Sequence, residues 1–503
     1  MSSQIINQKT PRTVALVTLG CARNETDSEE LAGRLAADGW VLVSDPAKAE
    51  IAVINTCGFI ESAKKDSVDA LLEAHSLKGN GVTKAVVAVG CMAERYGNEL
   101  ASALPEADAI LGFDDYQDIS ARLSTIIDGG KITTHTPKDR RTLLPIAPAD
   151  RADKKAAAQI DGPSPLGTVL RKRLDNSPIA PVDRATSRDI AKGKEINPLG
   201  TVLRKRLDNA PIAPLKIASG CDRRCSFCAI PYFRGSFISR KPAEIIEEAK
   251  WLADNGVTEL YLVSENTTSF GKDFGDLKMM EKMLPELSKI EAIKRIRLSY
   301  LQPAEVRPTL LQAMISVDKV VPYFDLSFQH ANGDLLRSMR RFGDGEKFLH
   351  LISQIRALSP TAGIRSNFIV GFPGESDAAF MDLIEFLSQA QLDAIGVFGY
   401  SDEDKTEAET LPNKVAPEII AERVSELSTL VDELITQRSE MRIGEKISVL
   451  IEDEGEQEGR AEHQGPDVDG STFVKSRNKY RVGDYVDAVV SDVAGVDLIA
   501  QVI

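Results

Sequence analysis

The chain has 503 residues, 43% of them hydrophobic, and a net charge of −14. That length predicts roughly two to four domains, while the acidic balance works against general binding to phosphate backbones and makes a basic protein the easier partner. The longest apolar run, near residues 85–93, falls far short of the roughly 20 residues that a membrane helix requires, and residues 1–10 have neither a basic start nor an apolar stretch, so a cytoplasmic protein with no membrane partner is expected.

In chain order, residues 11–130 alternate apolar strands with helical stretches: a strand at 13–20, a helix near 28–38, a strand at 51–56, a further helix and a strand at 85–90. This rhythm predicts an open parallel α/β sheet. Over residues 131–214 the pattern gives way to Pro, Ala, Asp, Lys and Arg without a sustained apolar period, as in a linker. That linker contains a tandem duplication. PLGTVLRKRLDNSPIAP at 165–181 returns at 198–214 with Ala210 in place of Ser177, and two copies are too few for a repeat architecture. Each copy carries a basic triplet, Arg171, Lys172 and Arg173 or Arg204, Lys205 and Arg206. Such a triplet could touch ribosomal RNA, but charge runs more commonly lie on a solvated tether, and the tether is the expectation here.

Residues 215–442 carry a second α/β series, with strands at 260–263, 295–299, 323–328, 366–370 and 394–400 that fit a barrel-like domain. A long charged helix near 417–443 closes it. Short strands with Gly-containing turns then fill 443–503, as in a small antiparallel β-barrel.

Six cysteines are too few for a disulfide framework in a chain this long, and they fall into two sets of three. The second set, Cys221-Asp-Arg-Arg-Cys225-Ser-Phe-Cys228, follows a strand near 218–220. Three thiolates at this spacing can hold three irons of a 4Fe-4S cube and leave the fourth open for a ligand. Structural zinc sites commonly use four ligands in paired CxxC motifs, and no fourth Cys or His is near in sequence. Burial of all three as small hydrophobes is at odds with the adjacent Asp and Arg residues. The first set is dispersed, yet Cys21, Cys57 and Cys91 each follow one of the three strands, at intervals of 36 and 34 residues. The carboxyl ends of strands in an open parallel sheet share one rim, so three thiols at the same phase can converge on a second cluster. Helix N-termini after Cys21 and Cys57 are expected to lower their thiol pKa values. Farther on, Gly371-Phe-Pro-Gly374-Glu375 follows an apolar strand as a tight turn, either a ligand cradle or a plain β-turn. His330 sits at a strand end as either a pocket or a structural histidine.

The CxxxCxxC spacing resembles the signature of the radical S-adenosylmethionine superfamily. The two cysteine sets followed by a small β domain resemble its methylthiotransferase family over nearly all the chain except the linker. The motifs Leu19-Gly-Cys21-Ala-Arg-Asn24-Glu-Thr-Asp27-Ser-Glu29, Asn55-Thr-Cys57-Gly-Phe59-Ile-Glu61-Ser-Ala63 and Cys228-Ala-Ile-Pro231-Tyr-Phe-Arg234-Gly look like its ribosomal-protein branch. The resemblance implies a central partial (β/α) barrel, a C-terminal OB-like TRAM domain, two 4Fe-4S clusters and S-adenosyl-L-methionine used as both methyl donor and radical source. On this reading the cluster at Cys221, Cys225 and Cys228 generates an adenosyl radical that takes hydrogen from the β-carbon of an aspartate in ribosomal protein uS12. The cluster at Cys21, Cys57 and Cys91 handles the sulfur. Gly371, Pro373, Gly374 and Glu375 shape the S-adenosylmethionine site, with Gln329 and His330 nearby. An electron donor and a sulfur donor are further implied partners. The duplicated linker departs from the family pattern. Residues 443–503 hold six basic against thirteen acidic side chains, half of the chain's net charge, which suits a basic ribosomal protein better than RNA. The alternatives are the same chemistry on a transfer RNA adenosine, or a non-catalytic iron–sulfur protein.

Overall fold

In a computed structural model, the described residues are 11–79, 81–142, 204–466 and 468–503. The first copy of the duplication therefore lies outside them, with Arg171, Lys172 and Arg173. They divide between two compact units, one comprising Met1–Asp208 with Tyr232–Ser236 and the other Asn209–Pro231 with Phe237–Ile503.

The first unit is built on a five-stranded sheet of order β2-β1-β3-β4-β5, with every pairing parallel: β1 (Thr13–Thr18), β2 (Val41–Leu42), β3 (Ile51–Thr56), β4 (Ala85–Val89) and β5 (Ala109–Ile110). Strands β3 and β4 are buried along their whole length, as parallel strands covered on both faces must be. Helices α1 (Ala22–Ala37), α2 (Glu61–Ser76), α3 (Gly90–Ala103) and α4 (Ile119–Ile127) complete the layers. The expected helix at 28–38 in fact begins at Ala22. Its first two turns bury Asn24, Thr26, Asp27, Ser28, Glu29 and Glu30, so the inward face is polar and leaves no apolar period to read. Asn55 Nδ2 pins that face by donating to Asn24 O and Ser28 Oγ, both at 2.9 Å.

The second copy of the duplication also departs from expectation. Arg204 is 4% exposed, and its Nε lies 2.5 Å from the carboxylate of buried Glu29, which also accepts from Leu207 N at 3.2 Å. Of this triplet, Arg204 is thus a buried anchor of the first unit rather than part of a solvated tether. The expected linker end at Pro214 likewise falls inside a strand that starts at Ile212.

In the second unit, β6 (Ile212–Lys216), β9 (Glu259–Val263) and β10 (Arg295–Leu298) form one parallel sheet, while β11 (Tyr323–Asp325), β12 (Gly363–Val370) and β13 (Ala394–Gly399) form another. Parallel bridges between Ile296 and Val320 and between Leu301 and Leu326 join the two into a six-stranded partial barrel. A short antiparallel pair, β7 (Ala218–Ser219) with β8 (Ile238–Ser239), flanks the cysteine loop, and the short helix α5 (Ile230–Arg234) follows it. Helices α6 (Pro242–Asp254), α7 (Met279–Ser288), α8 (Pro308–Ser316), α9 (Gly333–Ser338), α10 (Gly345–Leu358) and α11 (Asp377–Ala390) intervene between strands. Helix α12 (Pro417–Glu440) packs on β13 and leads into a closed barrel of order β14-β15-β16-β18-β17. Its strands are β14 (Lys446–Asp453), β15 (Glu458–Ala461), β16 (Thr472–Lys475), β17 (Tyr485–Ala494) and β18 (Asp497–Val502). The pairings are antiparallel except β16 with β18, which is parallel, and they close the small OB-like barrel expected.

The small barrel docks against the amino ends of the central strands. Arg295 and Arg297, on β10, donate to backbone carbonyls of Arg460 and Glu462 at 2.9 and 2.8 Å. Fully buried Glu259 binds Arg297 Nε at 2.8 Å and lies 3.6 Å from Arg460. Tyr323 donates its hydroxyl to Asp469, and a Cβ at Gly363 would sit 2.2 Å from His463 O. The carboxyl ends of the strands are left to the cysteine loop.

Candidate functional site

In the first unit the three dispersed cysteines are brought together, with Asn24 among them. Cys21 caps α1, Cys57 directly follows β3 and Cys91 is the second residue of α3. Gly20, at φ 94°, lies so close to Cys57 that a Cβ there would be 2.9 Å from both Cys57 Cβ and Sγ. Asn24 donates Nδ2 to Leu19 O and Thr56 O at 2.8 and 3.3 Å, and its Oδ1 accepts the thiol of Cys91 at 3.5 Å. Ser67 fixes the Cys57 backbone, accepting from its N at 2.9 Å and donating to its O at 3.1 Å.

Electrostatics divide the set. Burial opposes ionisation of Cys21, but the charges of Arg23 and Arg234 outweigh it and hold this thiol below its ordinary value. Burial pushes Cys57 up, and pushes Cys91 up to about 12, with nearby Cys21 adding to both. The expected lowering at Cys57 therefore fails: α2 begins only at Glu61, and loss of water dominates. It is Cys91 that lies in the first turn of a helix, and desolvation prevails there too. A buried thiol that resists ionisation in isolation becomes a good thiolate once a metal centre supplies the compensating charge.

Arg234 is the side chain that reading by motif left without a role. It is 6% exposed and donates from Nη2 to Cys91 Sγ at 3.0 Å, Asn24 Oδ1 at 3.0 Å and Asp27 Oδ2 at 3.2 Å. Its guanidinium lies 5.1 Å from the ring centre of Phe113. Only its place in the motif after Cys228 marked it in the sequence.

In the second unit Cys221, Cys225 and Cys228 occupy the loop between β7 and α5, all partly buried. Burial pushes the Cys221 thiol upward, and Cys228 and Cys225 add to the effect. Two arginines brace the loop. Arg341 reaches Cys225 Sγ at 3.8 Å and donates to Ser327 O just beyond β11. Arg223 lies 2.6 Å from Glu305, whose other oxygen accepts from Asn266, Ser269 and Thr268 at 2.9, 2.9 and 3.2 Å. Burial opposes ionisation of Glu305, but Arg223 and these donors hold its carboxyl below the usual range. Neither bracing pair was singled out from sequence, because each partner is remote along the chain.

The turn after β12 is built as expected. Gly371 has φ 78° and Gly374 φ 89°; Gly371 and Pro373 are buried while Gly374 is exposed. Glu375 folds back to accept Gly371 N, and its Oε1 lies 3.6 Å from Nε2 of fully buried His330. Nδ1 of His330 accepts Asn332 N at 3.0 Å. Gln329 holds a positive φ of 74° and is half-buried beside Asn367, whose carbonyl it bonds at 3.1 Å. Strained non-glycine backbone at strand ends is a feature of ligand sites, and Tyr300, at φ 55° beyond β10, shares it.

No group of three His, Cys, Asp or Glu among the described residues converges tightly enough for a single ion. A cube, by contrast, takes each thiolate at a separate corner, and two sets of three sulfur donors fit that requirement better than a zinc tetrahedron. Nor, among the described residues, is any helix long and apolar enough to cross a membrane.

Residues 13–112 match the family described as uncharacterized protein family UPF0004, residues 215–387 the radical SAM superfamily and residues 443–503 the TRAM domain. Among solved structures, the radical S-adenosylmethionine methyltransferase TsrM from Kitasatospora setae is similar in fold, with a TM-score of 0.52 at 12% identity over 80% of this chain and 77% of that one. Curated relatives are much nearer. The ribosomal protein uS12 methylthiotransferase RimO of Streptomyces coelicolor is 56% identical over 97% of this chain and 96% of its own. That of Cutibacterium acnes is 55% identical over 97% of this chain and 98% of its own. With such identity along its whole length, and all three expected domain types present, the chain belongs to the family of ribosomal protein uS12 methylthiotransferases.

Proposed function

We propose that this chain is a radical S-adenosylmethionine enzyme that replaces a hydrogen on the β-carbon of a uS12 aspartate with a methylthio group. The observation that carries the reading is full-length identity above one half to enzymes named for that activity. Two 4Fe-4S clusters are proposed, one on Cys21, Cys57 and Cys91 and one on Cys221, Cys225 and Cys228. The convergence of the first set around Asn24 and the bracing of the second by Arg223 and Arg341 support this assignment. Bound S-adenosylmethionine with the second cluster supplies one-electron cleavage of the sulfonium, and with it hydrogen abstraction from an unactivated carbon.

The protein's own groups then have distinct tasks. Arg341 ties Cys225 to the end of β11, fixing the cysteine loop over the barrel mouth. Glu305 restrains Arg223 and the loop after β9 together. Gly371, Pro373, Gly374 and Glu375 shape a wall of the S-adenosylmethionine site through the backbone, since Glu375 is occupied with Gly371 N and packed on His330. Gln329 is placed to meet the ligand at the strand ends. The acidic tail favours a basic protein substrate in the cytoplasm, and an electron donor and a sulfur donor complete the set of partners.

Intact-mass and fragment analysis of uS12 from strains with and without the gene tests the reading. The expected result is a methylthio mass on an aspartate that disappears with the gene. An unchanged uS12 together with loss of methylthio-adenosine from transfer RNA would overturn it in favour of the RNA substrate.

A further inference from the structure

The first cysteine set carries one buried cation that the proposed chemistry does not use. Arg234 sits in the first unit with three acceptors around its Nη2, sharing that nitrogen's two hydrogens: the sulfur of Cys91, the amide oxygen of Asn24 and the carboxylate of Asp27. Asp27 is 1% exposed and Phe113 covers the guanidinium. A buried ion pair of this kind needs no sulfur partner to be satisfied. Here one hydrogen bond goes to a candidate ligand sulfur, in a place where water cannot substitute for it. Hydrogen bonds and net charge at ligand sulfurs are among the main determinants of an iron–sulfur potential. A cation donating to a thiolate withdraws electron density from it and favours the reduced cluster, while a nearby carboxylate does the reverse.

We infer that Arg234 is a positioning residue for the Cys21–Cys57–Cys91 cluster, raising its reduction potential through the bond to Cys91, with Asp27 as the opposing charge. The inference rests on the two-cluster reading proposed above.

The test uses the full chain with Cys221→Ala, Cys225→Ala and Cys228→Ala, so that only the first set can hold a cluster. After anaerobic reconstitution with iron and sulfide, iron per chain is measured and the cluster is titrated with dithionite under electron paramagnetic resonance. Arg234→Gln is expected to move the midpoint to more negative values, Arg234→Lys to move it less, and Asp27→Asn to move it to more positive values. A residue that merely supports the fold has no reason to give opposite signs at Arg234 and Asp27. Unchanged midpoints, or shifts of the same sign in the Arg234 and Asp27 variants, would overturn the inference. If Arg234→Gln fails to fold, Arg234→Lys and Asp27→Asn still decide it by sign. Absence of iron already in the parent triple variant would instead remove the two-cluster reading, and the inference with it, an outcome separate from a loaded cluster indifferent to Arg234.

Discussion

Cys57 and Cys91 show how little the residue type alone says about a thiol. Both stand at the rim of a parallel sheet, yet burial keeps each reluctant to ionise while Cys21, beside Arg23 and Arg234, ionises more readily. Replacing a cysteine of either set should separate the tasks proposed for them. Cys225→Ala is expected to abolish S-adenosylmethionine cleavage, whereas Cys57→Ala spares part of it and stops sulfur insertion; equal loss in cleavage assays would contradict this division. The rim also depends on Gly90, at φ 90°, where a Cβ would approach Asn55 Oδ1 at 2.2 Å and Thr56 O at 2.6 Å. Gly90→Ala should cost about 2–5 kcal/mol from left-handed backbone strain and overpacking. A thermal melt matching that of the unmodified chain would refute it.

The joint between the central and C-terminal barrels is governed by charge. Burial opposes ionisation of Glu259, but Arg297, Arg460 and Arg295 overcome it and hold the carboxyl down to about 2. Because the folded value lies below the unfolded one of about 4.5, the stabilisation is fully present above that pH. It is lost as the pH falls from about 4.5 towards 2, and amounts to about 3 kcal/mol. Glu259→Gln should remove this component of the acid sensitivity and cost about 3–5 kcal/mol at neutral pH, since the buried arginines lose their countercharge. Unfolding curves at pH 7 and pH 3 check both signs. Burial and the surrounding arginines hold the neighbouring His463 well below its ordinary value.

For the molecule as a whole, the duplication and the net charge matter most. The second copy anchors through Arg204 and Glu29, so excising residues 165–197 should leave that pair in place and change stability by no more than about 1 kcal/mol. Arg204→Ala, which takes the nearer of two arginines from buried Glu29 and leaves it Arg206 at 3.6 Å, should be the more damaging change, at about 2–3 kcal/mol. Melting the two variants side by side tests the ranking. A net charge of −14 further predicts that association with uS12 slows as salt rises, which stopped-flow binding at two ionic strengths would reveal.

Much of this was legible from the chain alone. Strand rhythm placed the parallel sheets because buried strands such as β3 and β4 are nearly pure apolar runs. The convergence of Cys21, Cys57 and Cys91 was readable from their equal phase after three strands. The start of α1 was not, since its inward face is polar and finds its partners across the fold, in Asn55, Arg204 and Arg234. Likewise Arg234, Arg341, Glu305 and Glu259 acquire their roles from partners distant in sequence. Ligand type and element order are encoded locally, in composition and period. The charge state of a thiol, the bracing of a loop and the burial of an ion pair depend on which remote groups exclude water from it, and tertiary structure alone decides that.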